Sequence, residues 1–170
     1  MRLSELMLPE FDQEMANTRR MLERIPDDRL DFKPHEKSMA LVGLATHLSN
    51  MPKWVVMVMK EESFDMAPAG GEPVREDPVR SVAGALEAFD RNAAAARAAI
   101  AETGDDDFMA PWTLLAGGNP VFKMPRYSVV RTTIINHMIH HRAQLGVYLR
   151  LNDIPVPAIY GPTADGQEPA

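Results

Sequence analysis

Apolar residues recur every three or four positions in four stretches of the chain, the spacing that places side chains on one face of a helix. These stretches cover approximately residues 3–25, 38–58, 78–100 and 128–152. In the third, the apolar positions step by four and three: Val82, Leu86, Phe89, Ala93, Ala96 and Ile100. Four amphipathic helices predict an all-α fold, a four-helix bundle whose inward stripes form the core. We expect a single domain over residues 1–170.

Proline and glycine residues interrupt or separate these stretches. Pro52 lies inside the second and should kink it, because proline removes a backbone donor. Asp77-Pro78 is predicted to cap the third helix. Residues 62–76, rich in Gly, Pro and Glu, are predicted to form a mobile loop. Residues 111–125, between helices three and four, suit either a small hairpin or an ordered crossing loop, and an extended tail is expected from about residue 155.

Charge and composition narrow the functional classes. The chain has 24 acidic and 18 basic residues, a net charge of -6, which argues against a nucleic-acid partner. It has no cysteine, so disulfides, thiolate metal ligands and a cysteine nucleophile are excluded. No segment resembles a signal peptide, and none approaches the ~18 apolar residues of a membrane span. We therefore expect a cytoplasmic protein without a membrane partner.

Two histidines stand four residues apart in the fourth predicted helix. His137 and His141 would lie one above the other on one helical face, where two imidazoles can hold one metal ion. His47 borders the inward stripe of the second helix and is the candidate third ligand. Three protein ligands leave one position open for water or substrate, as in catalytic zinc sites.

Alternatives to this metal site stay open at the level of sequence. The histidines could instead be ordinary core or boundary residues, and His140 could share the face of His137 and compete with His141. A zincin protease is disfavoured, because Met138 stands where the general-base glutamate should follow the first histidine. His35 is interpreted as an exposed loop residue.

The sequence identifies no general base. The candidates for groups near the metal ligands are Glu10, Glu14, Tyr127 and Tyr160. Arg142 and Gln144 are expected to point away from the histidine face and to make contacts between helices or between subunits.

Several segments resemble one known family. Residues 136–145 (NHMIHHRAQL) and 148–157 (YLRLNDIPVP) resemble the last helix of the DinB-like (YfiT-like) metalloenzymes. Residues 44–48 (LATHL) resemble the first histidine region of that family, and residues 31–34 (DFKP) resemble the segment before it. The resemblance covers most of the chain in order.

The resemblance carries expectations of its own. It implies that His47, His137 and His141 bind a divalent metal ion, with zinc or nickel favoured. It also implies a four-helix bundle with a long crossover, often assembled as a homodimer. Some members of the family are transferases or isomerases that use a low-molecular-weight thiol.

We therefore expect a metal-dependent enzyme that activates a small thiol or water, of the thiol S-transferase or hydrolase type. The substrate would be a small molecule. The alternatives are a non-catalytic bundle stabilised by its metal and a small-molecule binding module that holds no metal.

Overall fold

The apolar stripes of the sequence become the buried faces of helices. The computed structural model describes residues 1–72, 74–76 and 78–166. Its regular elements, in chain order, are α1 (Leu3–Leu22), a 3-10 turn (Asp27–Arg29), α2 (Leu41–Asn50), α3 (Lys53–Lys60), β1 (Ser63–Asp65), α4 (Val82–Glu102), α5 (Asp105–Met109), β2 (Pro111–Ala116), β3 (Asn119–Pro125), α6 (Arg126–Ser128), a π-helical stretch (Val129–Ile135) and α7 (Asn136–Leu151).

The long helices enclose one hydrophobic core. α1 packs against α4 and α7, and α2 packs against the same two helices. The predicted stripe of the second stretch is buried at every position: Leu41, Leu44, Leu48, Met51, Val55 and Val58. Burial of each such side chain favours folding by about 1.5–3 kcal/mol. Val147 on α7, by contrast, is 57% exposed.

Pro52 breaks the second helical stretch into two helices. It is the residue immediately before α3, and α2 ends at Asn50. The N–H groups of Trp54 and Val55 donate to carbonyls three residues earlier, so the chain makes a tightened turn at the break. Because this break follows His47, the position of that histidine is set by α2 alone.

The predicted all-α fold class is wrong, because the chain also forms a three-stranded mixed sheet. β2 and β3 form an antiparallel hairpin, and β1 pairs in parallel with β2. The hairpin turns at Gly117 and Gly118, whose φ angles of 60° and 77° suit a two-residue loop. Of the two interpretations of residues 111–125, the hairpin is the one that forms.

β1 lies in the segment that we predicted to be a mobile loop. A strand of three residues is too short to show a period of two, and its partner strand lies far along the chain. The carboxylate of Asp65 holds it in place by accepting hydrogen bonds from the N–H groups of Ala67 (3.0 Å), Gly117 (3.1 Å) and Gly118 (2.7 Å). These contacts depend on the folded hairpin, so helical periodicity could not predict them.

The start of α4 also differs from the sequence prediction. The helix begins at Val82, and the hydroxyl of Ser81 caps it by accepting a hydrogen bond from the N–H of Gly84 at 3.1 Å. The predicted cap at Asp77 lies outside the described residues, and Pro78 precedes the helix by several positions.

After α7 the chain turns at Asp153 and returns across the core. Residues 154–166 contain only an isolated bridge between Thr163 and Gly166. Ile154, Val156 and Ile159 pack against the core. Among the helices that the structure describes, none has the length and apolarity needed to cross a membrane.

Candidate metal centre

His47, His137 and His141 come from two helices and meet at one place in the structure. One ring nitrogen from each residue lies within 4.8 Å of the corresponding nitrogens of the other two. The ring centroid of His47 lies 5.2 Å from that of His137 and 4.7 Å from that of His141, and the last two are 4.5 Å apart. The structure thus brings together all three residues that the sequence singled out.

A π-helical stretch leads into the histidine pair, where the sequence predicted an uninterrupted α-helix. The wider turn buries adjacent residues in pairs: Val129 with Val130, and Ile134 with Ile135. Such stretches often occur next to functional sites, and they have no simple periodic signature. Regular α-helix resumes at Asn136, so His137 and His141 lie one turn apart on the same face.

Two of the three rings also have a hydrogen-bond partner on the outer side. Nδ1 of His47 lies 3.3 Å from Oε2 of Glu76. Nδ1 of His141 lies 2.7 Å from Oε1 of Gln144. Acceptors placed in this way fix the tautomer and orientation of metal-binding histidines.

His140 does not compete with His141 for the centre. Its Nε2 lies 3.1 Å from Nε2 of Gln144, and its side chain is exposed. The amide of Gln144 therefore donates to His140 through its nitrogen and accepts from His141 through its oxygen. His140 fixes the orientation of this amide and lies outside the three-histidine group.

The inner nitrogens of two of the rings lie face to face. Nε2 of His137 and Nε2 of His141 are 2.8 Å apart. With a proton on one Nε2 the two neutral rings share a hydrogen bond, and with both ring protons on Nδ1 the two Nε2 atoms present lone pairs. Lone pairs at this distance repel each other unless a proton or a metal cation lies between them.

The electrostatic surroundings disfavour the charged, doubly protonated form of these rings. Burial, followed by the neighbouring His141, His47 and His140, lowers the pKa of His137 from 6.5 to about 4. Burial also lowers the pKa of His141. Both rings are therefore neutral at pH 7, the state in which imidazole binds metals. The residues present fit a divalent ion, and three imidazoles suit zinc, nickel, copper and iron alike.

Comparison with known proteins agrees with this arrangement of residues. The family model of the DinB superfamily matches residues 10–145, a range that contains both histidine regions. The chain belongs to the DinB superfamily. A DinB-like protein from Bacillus cereus has a similar fold, with a TM-score of 0.69 and 22% identity over 90% of this chain and 95% of that one. A second DinB-like protein, YjoA from Bacillus subtilis, has a TM-score of 0.64 and 17% identity over 88% and 94% of the two chains. No curated protein matches the sequence significantly.

Two residues of this DinB-superfamily site were not found from the sequence. Glu76 lies in the segment predicted to be a loop, where no periodic pattern relates it to His47. Gln144 was expected to point away from the histidines, yet it contacts both His140 and His141. Its spacing of three residues from His141 was a usable signal, since such pairs are neighbours on a helix.

The other polar candidates lie elsewhere. Arg142 makes the expected contacts between helices, through Glu14 and Thr18 of α1. Glu14 also accepts from Tyr160. Glu10 pairs with Arg131 at 2.9 Å. None of the carboxylates proposed from the sequence hydrogen-bonds a histidine of the centre within the described residues.

A cavity of about 560 Å³ reaches His137. Trp54, Glu76 and His137 all line it, and each of them contacts His47. The sheet also contributes to its wall, through residues such as Trp112. This space is where a molecule could approach the centre.

Proposed function

We propose that this chain is a metal-dependent enzyme in which His47, His137 and His141 bind one divalent ion, zinc or nickel, and which activates a small thiol or water. The observation that carries the proposal is the meeting of the three histidines, with one ring nitrogen from each within 4.8 Å of the other two and with Nε2 of His137 and Nε2 of His141 2.8 Å apart. Membership of the DinB superfamily supports it.

The arrangement favours catalysis over a purely structural metal. Three protein ligands leave an open position, and the adjoining cavity gives a small molecule room to reach it. A divalent ion held by neutral imidazoles keeps its full positive charge and, as a Lewis acid, lowers the pKa of a thiol or water that binds it.

The protein's own residues orient the ligands and limit access by water. Glu76 and Gln144 hold His47 and His141 with their Nε2 atoms turned inward. The indole of Trp54 packs edge-on against His47, with ring centroids 5.6 Å apart, and tilted against His137 at 6.3 Å. This ring covers one side of the centre with apolar surface.

For a thiol substrate, the reaction proposed is S-transfer to an electrophilic carbon. The sulfur supplies the electron pair of the new carbon–sulfur bond, and the thiol proton passes to solvent. The leaving group departs with the electron pair of the bond that breaks. With water as the nucleophile, the same balance describes a hydrolysis.

The first test is metal content. Purified protein, stripped of metal and reconstituted with Zn²⁺ or Ni²⁺ near neutral pH, should hold about one equivalent by elemental mass spectrometry. A His137→Ala, His141→Ala double variant should hold none. His140→Ala is the matched control on the same helix and should keep its metal, because His140 lies outside the centre.

Two results would overturn the proposal. One is a parent protein that binds no metal after reconstitution, and the other is equal metal loss in His140→Ala and His141→Ala. If metal binds, a panel of low-molecular-weight thiols and electrophiles tests the chemistry. Metal that raises the unfolding midpoint without supporting conjugation or hydrolysis would indicate a structural role instead.

A further inference from the structure

The cavity beside the histidines is too large to be a packing defect. Its volume is about 560 Å³, whereas protein interiors leave few voids larger than a water molecule. Ligand pockets range over roughly 300–1,000 Å³. The space therefore has the size of a site for a small organic molecule.

The lining of this cavity selects against charge. Of the fifteen described residues that line it, four are polar: Lys53, Glu76, Thr133 and His137. Glu76 is engaged with His47, and Lys53 is half-exposed at the rim. The remaining walls are aliphatic and aromatic, and a charged molecular body placed there would lose its hydration without compensation.

The lining of the cavity ranges from buried to exposed residues. Val58, Val129 and Ile134 are each 1% exposed, whereas Met66 and Val74 are 40% and 60% exposed. A molecule in the cavity would be enclosed mainly by apolar side chains and would lie beside His137.

Two buried polar atoms of lining residues have no hydrogen-bond partner among the described residues: Oε1 of Glu76, which lies 4.0 Å from Nζ of Lys53, and the indole nitrogen of Trp112. The indole N–H of Trp112 has no hydrogen-bond acceptor among the described residues, although the residue is only 2% exposed. Buried donors in folded proteins are nearly always paired. Because the Trp112 side chain lines the cavity, an acceptor atom on a bound molecule would satisfy this N–H.

We propose that this cavity binds the electrophilic co-substrate, a neutral and mainly aromatic or aliphatic molecule that carries a hydrogen-bond acceptor such as a carbonyl oxygen for Trp112. The inference rests on the proposed function in that it assigns the molecule as the compound attacked by the activated thiol or water. It also makes the sheet, which contributes Trp112 and Leu114 to the cavity wall, the element that selects the substrate.

The chain has a built-in reporter for this test, since its only two tryptophans, Trp54 and Trp112, both line the cavity. Metal-free full-length protein is titrated with 4-bromoacetophenone and with 1-bromo-4-ethylbenzene, which have nearly the same shape but differ in the carbonyl group. Bromine quenches indole fluorescence, so dissociation constants follow from saturable quenching. Both probes should bind, and the ketone should bind roughly 5- to 10-fold more tightly through one added hydrogen bond.

Two adjacent leucines provide a matched pair of variants. Leu114 and Leu115 are both half-buried on β2, but Leu114 lines this cavity and Leu115 lines the opposite face of the sheet. Leu114→Asn should weaken both probes by about tenfold or more, because an amide replaces apolar wall. Leu115→Asn should leave both dissociation constants unchanged. Circular dichroism confirms that both variants are folded.

A third variant tests the acceptor. Trp112→Phe should abolish the preference for the ketone while the ethyl probe still binds, with Trp54 as the remaining reporter. A ketone preference that survives in this variant would overturn the role of the indole N–H. Quenching that never saturates, or equal losses in Leu114→Asn and Leu115→Asn, would overturn the cavity as a binding site.

Metal content, measured separately, distinguishes the two proposals. Saturable probe binding in a protein that never binds metal would support the cavity as a binding site and overturn the metal centre. Stoichiometric metal binding without saturable probe binding would support the centre and overturn the assignment of the cavity.

Discussion

Two adjacent residues of α7, His141 and Arg142, belong to two polar clusters of different character. Arg142 is 3% exposed, and its guanidinium lies 2.6 Å from the carboxylate of Glu14. It also donates to the hydroxyl groups of Thr18 and Tyr160, and Tyr160 donates to Glu14. In the other cluster, the half-buried His141 faces His137, with their Nε2 atoms 2.8 Å apart.

The two clusters differ in how fully their polar groups are paired with partners of opposite charge. In the Arg142 cluster the guanidinium and the Glu14 carboxylate pair with each other and Tyr160 bridges them, so the cluster joins α1, α7 and the C-terminal segment. In the histidine cluster Glu76 and Gln144 hold two of the rings from outside, and the three inner nitrogens converge without a counter-charge among the described residues. A polar cluster that is complete serves structure, and one that lacks a component is a candidate binding site.

The largest effect is expected from breaking the complete cluster. Arg142→Met should lower the free energy of unfolding by about 3–5 kcal/mol, because it leaves the Glu14 carboxylate buried without its cation. Urea unfolding monitored by circular dichroism measures this loss. Metal binding by the folded fraction should persist, since Arg142 makes no contact with the three histidines.

The control for Arg142→Met removes both charges. An Arg142→Met, Glu14→Leu double variant should recover most of the lost stability, as buried ion pairs are often replaceable by apolar groups. If the single variant loses less than about 1 kcal/mol, Arg142 and Glu14 behave as a surface pair and the contrast between the clusters does not hold.

The second effect concerns Gln144, which holds a histidine of the incomplete cluster in place. Gln144→Leu removes the acceptor from Nδ1 of His141 and should weaken metal binding by roughly 10- to 100-fold. Gln144→Glu keeps an oxygen at that place and should stay close to the parent. Competition with a chromophoric chelator gives both affinities, and Gln144→Leu should unfold at the parent's urea concentration because the residue is exposed. Equal affinities in all three proteins would remove the positioning role of Gln144.

These two clusters also show what the sequence could and could not predict. The pairing of His137 with His141 follows from helix geometry within five residues, so spacing alone located it. Glu76 reaches His47 only because the chain between α3 and α4 folds back, and β1 forms only because a distant hairpin receives it. Contacts of this kind depend on tertiary structure, so the periodicity of the sequence could predict neither the cavity wall nor the fold class.

The third effect is a pH dependence of stability that arises in the histidine cluster. His137 has a pKa of about 4 in the folded protein against 6.5 ordinarily, chiefly because it is buried. Between these values the unfolded chain binds a proton that the folded chain does not, so the free energy of unfolding of metal-free protein should fall as the pH drops from 6.5 towards 4. Urea unfolding at pH 7.5, 6.5 and 5.5 measures it. The His137→Ala variant should show a weaker pH dependence of stability than the parent, whereas the exposed control His35→Ala should keep the dependence of the parent. Identical slopes in both variants would contradict the assignment of this effect to His137.

The smallest effect comes from trimming the complete cluster without unbalancing its charges. Tyr160→Phe removes the hydroxyl that donates to Glu14 but keeps the ring, which lies 5.2 Å from the guanidinium of Arg142. Because Glu14 retains Arg142 as its partner, the loss in free energy of unfolding should be about 1 kcal/mol, the value of one hydrogen bond. Asp165→Asn, which alters an exposed ion pair between the same C-terminal segment and Arg150, should shift the urea midpoint by less than Tyr160→Phe does. A loss for Tyr160→Phe as large as that for Arg142→Met would mean that the hydroxyl, and not the ion pair, completes the cluster.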